Sequence, residues 1–201
     1  MMKAFNVYMS GVGGQGIGLL SEVLLRTADH AGYPVKAVDT HGLAQRGGLV
    51  VSHLRIGNAV FSPLVPAHGA DLVISLERHE ALRSLNDAAR DGGVLVYYDT
   101  VWQPLNVRLK LAAETENETI AEQCNQRGIA LHRVHKPDLS DARMQNIIVL
   151  AHIARHALIE GLTEAHFHQA MEDLMQGSML EKNRQLFDAE CRSGDGLTTV
   201  S

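Results

Sequence analysis

Apolar positions recur along this chain in two alternating rhythms. Residues 4–10 form a short apolar run that stops at a cluster of glycines, which predicts a buried strand feeding a tight turn. Beyond Gly16 the period lengthens: Leu19, Leu20, Val23, Leu24 and Ala28 share one helical face, and Gly32 with Pro34 ends that helix. Residues 35–38 then predict the second strand of a βαβ unit, with a crossover of the right length for parallel pairing. Between 49 and 62 two β-rich runs flank Gly57 and Asn58, a dipeptide of the hairpin-turn kind, so an antiparallel hairpin is expected there.

Strand 71–77, helix 78–90 and strand 94–99 restore the alternation. Thr115 and Glu118 have capping-box spacing before a helix that Gly128 can terminate, and 129–134 suits a last strand. The remainder reads as helical. Ser140 is placed to cap a segment that turns Met144, Ile147, Ile148, Ala151 and Ala154 inward; Phe167, Ala170, Met171 and Leu174 mark a second; Ser178 with Glu181 opens a third that buries Leu180 and Phe187. Without repeats, low-complexity tracts or linkers, residues 1–201 are expected to form one α/β domain. Its predicted core is a doubly wound, mostly parallel, Rossmann-like sheet with an antiparallel hairpin insertion and a helical C-terminal portion.

Composition narrows the function classes. A hydrophobic fraction of 45% and a charged fraction of 20% are those of an ordinary globular protein. A formal charge of −5 gives no drive towards phosphate backbones or anionic membranes, so neither nucleic acid nor membrane is expected as a partner. The two cysteines, Cys124 and Cys191, are too few for a four-thiolate cluster or a closed zinc site, and they suit a reducing cytoplasm. The opening segment is too short and too soon broken by glycine for a signal peptide.

Gly11, Gly13, Gly14, Gln15 and Gly16 lie between the first strand and the first helix, with Val12 among them. Residues without Cβ let backbone come close to a ligand or another chain, and a helix N-terminus adds free N–H groups, so this loop is a candidate anion cradle. Asp39, at the end of the second strand, stands where a dinucleotide fingerprint places its ribose-binding acid. A P-loop needs Lys and Ser or Thr after the glycines, whereas Ile17 and Gly18 follow here. No tyrosine has the lysine four residues on that a short-chain dehydrogenase requires. The glycines also have a purely structural reading, in which they let the helix pack close to the sheet.

A second loop, from Asp39 to Gly48, carries His41, Gln45 and Arg46 among Gly42, Gly47 and Gly48. Loops at the carboxyl ends of such strands overhang the ligand crevice, so the two glycine-rich loops are expected to meet. Glu77, Arg78, His79, Asp99 and Thr100 end their strands on the same side; surface pairing or helix capping is the expected role. His152 and His156 are four apart on a predicted helix, and His166 and His168 follow. With no HExxH pattern, carboxylate in register or cysteine cluster, exposed helix histidines and no metal are expected.

Gly11 to Gly16 and the stretch from His41 to Gly57 together resemble the gamma-type domain of 2-oxoacid:ferredoxin oxidoreductases. The form His41, Gly42, Ala44, Gln45, Arg46, Gly47, Gly48 is similar to that of the indolepyruvate type. Residues 70–77, Glu80, Ala81, Arg83, Glu181, Lys182, Asn183 and Phe187 extend the resemblance over about residues 5–192. It implies a subunit without cofactors of its own, beside a larger chain carrying thiamine diphosphate, magnesium and iron–sulfur clusters. The family reaction is oxidative decarboxylation of a 2-oxoacid to an acyl-CoA with reduction of ferredoxin, and no catalytic residue carries over to this chain. The isolated subunit is expected to pair with itself. Alternatives are a self-sufficient NAD(P)-binding oxidoreductase and a binding or regulatory protein of the same fold.

Overall fold

The computed structural model describes residues 4–41, 48–102, 114–137, 139 and 141–193. Six strands, β1 (Phe5–Val12), β2 (Val35–His41), β3 (Leu49–Ile56), β4 (Ala70–Ser75), β5 (Ala89–Tyr98) and β6 (Ala130–Val134), form one sheet in the order β2-β3-β1-β4-β5-β6. Pairs β1–β4, β4–β5 and β5–β6 are parallel, whereas β3 runs antiparallel to both of its neighbours. Five strands therefore share a direction and β3 alone opposes them.

Both faces are covered because successive strand residues point to opposite sides. On β4 and β5, Leu72, Ile74, Val96 and Tyr98 join the core beneath α1 (Ile17–His30), α4 (Gln145–Arg155), α5 (Glu164–Leu174) and α6 (Gly177–Arg192). Their neighbours Val73, Leu95 and Tyr97 face α2 (Arg78–Asp87) and α3 (Asn117–Gln126). The larger core closes where Phe167 of α5 meets Phe187 of α6, ring centroids 5.6 Å apart. Such a pair contributes about 0.5–1.5 kcal/mol beyond its buried area.

The antiparallel element exists, but not about Gly57 and Asn58. It is the pair β2–β3, and no strand follows Gly57 before β4. Pro63 and Pro66 in that stretch lack the N–H that a returning strand needs. Nor does β2 pair with β1, because β3 lies between them. Lys36, Asp39 and Thr40 on β2 are exposed, as suits an edge, whereas β3 buries Val51, Ser52, Leu54 and Ile56 and takes the inner place.

Helix ends also differ in detail. Gly128, at φ 61°, follows α3 as expected, and Ile129 N–H returns to the Cys124 carbonyl at 2.9 Å. The N-cap of α3 is Glu116, one residue after Thr115, with no side-chain cap bond. Thr115 instead donates its N–H to His79, and its carbonyl accepts from Arg78. On α6 the N-cap is Gln176, which places Ser178 inside the first turn. The capping box that does form joins Thr163 and His166 at the start of α5. Ser140 lies outside the described residues, and Asp141 caps the short 3-10 turn Ala142–Met144 ahead of α4.

Candidate functional site

Strand β1 sits where the sheet changes direction of winding: the chain leaves it for β2 on one side and reaches β4 on the other. In open α/β sheets the crevice beyond the carboxyl ends of two such strands is the usual ligand site. Here the glycine loop stands over it. Gly14 has φ 104° and an exposed backbone; Gly16 has φ 86° and is the N-cap of α1. A Cβ on Gly16 would lie 2.7 Å from Asn146 Nδ2, and one on Gly11 would lie 2.9 Å from Ile17 Cγ1. Gly11 thus leaves room for the start of α1 against β1, Gly16 meets α4 rather than the sheet, and Gly14 faces open space.

Gln15, among the candidate binding residues, points inward. Its side chain is 1% exposed and turned inward, where Oε1 accepts from Val12 N–H at 2.7 Å and Nε2 donates to the Leu76 carbonyl at 2.9 Å. Gln15 thus links the end of β1 to the residue after β4. Below it runs a buried chain of hydroxyls: Ser84 donates to Ser10 at 2.8 Å, Ser10 to Ser75 at 3.0 Å, and Ser75 to the Glu77 carbonyl at 3.0 Å. Sequence reasoning missed this chain; its signal was serine at the end of two otherwise apolar strands.

The two glycine-rich loops do meet, through Gly13 N–H donating to the Gly48 carbonyl at 2.9 Å. His41 ends β2, whereas Gln45, Arg46 and Gly47 lie outside the described residues. Asp39 is exposed and bonded to Ser21 of α1 at 3.4 Å. With β3 inserted, Asp39 stands two strand spacings from β1, about 10 Å away. A dinucleotide fingerprint needs its acid on the strand next to the glycine loop, so this arrangement speaks against NAD(P).

A second polar group gathers at the same end of the sheet. Glu77 is fully buried and caps α2 by accepting from Glu80 N–H at 2.9 Å; its other oxygen accepts from Trp102 N–H at 3.2 Å. His79 Nε2 accepts from Thr115 N–H, which leaves Nδ1 to donate to Glu77 at 3.0 Å. Asp99 holds Arg78 on one oxygen at 2.7 Å and Arg133 on the other at 2.6 Å, with Asn117 donating at 3.1 Å. Burial pushes the Asp99 carboxyl up, but the two guanidinium groups more than offset it and hold it below the ordinary aspartate value. Capping and pairing are the expected roles, although both carboxylates are buried rather than at the surface.

The helix histidines depart further from expectation. His152 is 5% exposed and His156 is half-buried, and His132 of β6 joins them. His152 Nε2 lies 2.9 Å from His132 Nδ1. His166 is spent in its capping box and His168 pairs with Asp188 at 2.9 Å, so neither belongs to this group. Sequence reasoning missed His132 because it lies on a different element.

The cysteines do not fit an iron–sulfur cluster. Cys124 belongs to the core on one face of the sheet and Cys191 packs against the core on the other. Burial pushes the Cys124 thiol up to about 11 and the Cys191 thiol up to about 12, away from the thiolate that a cluster requires.

The chain is similar to known proteins in sequence and fold. The pyruvate ferredoxin/flavodoxin oxidoreductase family matches residues 6–191. The chain is 37% identical over 119 residues to the indolepyruvate oxidoreductase subunit IorB of Pyrococcus horikoshii, covering 59% of this chain and 58% of that protein. It is 51% identical over 78 residues to the IorB of Archaeoglobus fulgidus, covering 39% of this chain and 38% of that protein. The matches therefore span little more than half the length of these curated relatives or less. Among solved structures, the pyruvate oxidoreductase subunit PORC of Thermotoga maritima has a TM-score of 0.66 at 16% identity, covering 96% of this chain and 97% of that one. A 2-oxoglutarate:ferredoxin oxidoreductase from Magnetococcus marinus has a TM-score of 0.71 at 16% identity, covering all of this chain and 32% of that one. With the family match running from β1 to the end of α6, the chain belongs to the pyruvate ferredoxin/flavodoxin oxidoreductase family.

Proposed function

We propose that this chain is the subunit without cofactors of a 2-oxoacid:ferredoxin oxidoreductase of the indolepyruvate type. It assembles with a larger chain that carries thiamine diphosphate, magnesium and the iron–sulfur clusters, and it supports oxidative decarboxylation of an aryl 2-oxoacid to an acyl-CoA. CoA and ferredoxin are met through the complex. The observation that supports this reading is the buried Gln15 amide, which is bonded to Val12 N–H and the Leu76 carbonyl at the end of the sheet where one of this kind would admit its own cofactor. Gly14 keeps an exposed backbone there, suited to a partner chain or a ligand held by it.

His41, Gln45, Arg46, Gly47 and Gly48 form, with Gly13 and Gly14, the docking surface of this proposal. Apolar side chains also stay unburied, Phe61 at 91% exposure and Leu64 at 53% in the segment between β3 and β4. A subunit that lacks its partner covers such surface by pairing with a second copy, so the isolated chain is a homodimer in this account. The test is co-expression of this chain with the thiamine-binding chain of the same organism. The two are expected to purify together in equal amounts with the iron and thiamine on the larger chain. A large chain that purifies alone and fully active would overturn the proposal.

A further inference from the structure

His132, His152 and His156 converge from two elements that chain order keeps apart. His152 and His156 are four residues apart on α4 and so stack on one face of the helix. His132 reaches them from β6, which is the edge strand of the sheet. The ring centroids are 4.2 Å apart for His152 and His156, 5.0 Å for His132 and His152, and 5.4 Å for His132 and His156. One ring nitrogen of each histidine lies within 4.8 Å of those of the other two.

We propose that these three imidazoles form a binding site for a first-row divalent cation, of which zinc is the best match. Three imidazole nitrogen donors, with no carboxylate in the group among the described residues, suit zinc, cobalt, nickel or copper and not magnesium or calcium, which take oxygen. Around a tetrahedral zinc at about 2.0–2.1 Å, ligand nitrogens stand roughly 3.4 Å apart, so modest side-chain rotation from the present spacing brings all of them into range. Three protein ligands leave the fourth position to water or another exchangeable ligand. The site is separate from the glycine loop, since β6 lies three strand spacings from β1, about 14 Å. Arg155, beside His156 in the chain, acts electrostatically on His152. Bound metal would tie the edge strand to α4.

The test is calorimetric titration of zinc chloride into the untagged, metal-stripped chain, with cobalt as a spectroscopic probe. The wild type is expected to bind one zinc, to give cobalt absorption of tetrahedral intensity, and to melt at a higher temperature with zinc. Magnesium is expected to do none of these. His132→Gln and His156→Gln, shown folded by circular dichroism, should each weaken zinc binding at least tenfold. His166→Gln, outside the group, should leave it unchanged. If His132→Gln does not fold, His156→Gln decides. Failure of the wild type to bind, or binding that His156→Gln leaves intact, would overturn the proposal.

Discussion

Gln15 Nε2 donates to the Leu76 carbonyl 2.9 Å away, so a side chain from the glycine loop is sewn to the residue that follows β4. The same amide accepts from Val12 N–H at 2.7 Å, which means that one residue satisfies two backbone groups at the winding switch of the sheet. Leaving a buried donor or acceptor without a partner costs about 1–3 kcal/mol. Gln15→Ala is therefore expected to destabilise the fold by about 2–4 kcal/mol in urea denaturation. A loss below about 0.5 kcal/mol would show that water replaces the amide and that the crevice is open.

Gly16 tests the close approach of α1 to α4. Its φ of 86° and the 2.7 Å that would separate an added Cβ from Asn146 Nδ2 make two separate demands on a side chain. Left-handed backbone costs a residue with a Cβ about 1–2 kcal/mol, and the clash adds to that. Gly16→Ala should lose more stability than this alone, and Asn146→Ala in the same chain should return the clash portion only. Additive losses in the double-mutant cycle would mean that the two residues do not meet.

Asp99 gives a pH dependence whose direction is fixed by its surroundings. Burial opposes its charge, yet Arg78 and Arg133 hold the folded-state pKa below the unfolded one. The stability from this carboxylate is thus present above the ordinary aspartate value and is lost as the pH falls through the lowered value. Asp99→Asn should flatten that part of the acid-unfolding profile. At neutral pH it should cost an amount at the lower end of about 3–5 kcal/mol, because Arg133 keeps contact with water. An unchanged acid limb in Asp99→Asn would contradict the assignment.

Glu80 is expected to behave in the opposite sense. Burial pushes its carboxyl up, Arg83 offsets this in part at 3.5 Å, and Oε2 has no hydrogen-bond partner among the described residues. A raised folded-state pKa means that ionisation works against the fold, so its cost is absent in acid and grows as the pH rises through the ordinary glutamate range. Glu80→Gln should then stabilise the chain at neutral pH and leave it unchanged in acid, as thermal melts at the two pH values will show. Destabilisation at neutral pH would mean that the charge is held by a contact outside the described residues.

What the sequence made legible follows the strength of the local signal. The periods around Val23 and Leu24, and around Val73 and Ile74, are dictated by burial on one face or two, and the elements appear where those periods place them. Strand order was less legible, because it depends on which strand is apolar enough for an inner position. Lys36 and Asp39 carried that information for β2, and the short connection to β3 disguised it as half of a parallel unit. The inward turn of Gln15 was not legible, because its type and position say nothing of its rotamer, which the Val12 N–H and the Leu76 carbonyl choose. His132 escaped notice for a related reason: its partners lie on an element some twenty residues away, joined to it only by the packing of α4 on β6.

A reconstitution titration decides whether this chain completes a larger enzyme. A fixed amount of the thiamine-binding chain is mixed with increasing amounts of this one, and 2-oxoacid-dependent reduction of ferredoxin or a dye is followed. Activity should rise and saturate at one equivalent. Arg46→Ala should fold with its stability within about 0.5 kcal/mol of the wild type and yet need at least ten times more protein to reach the midpoint. Activity that does not depend on the added chain, or an Arg46→Ala midpoint equal to the wild type, would contradict the account.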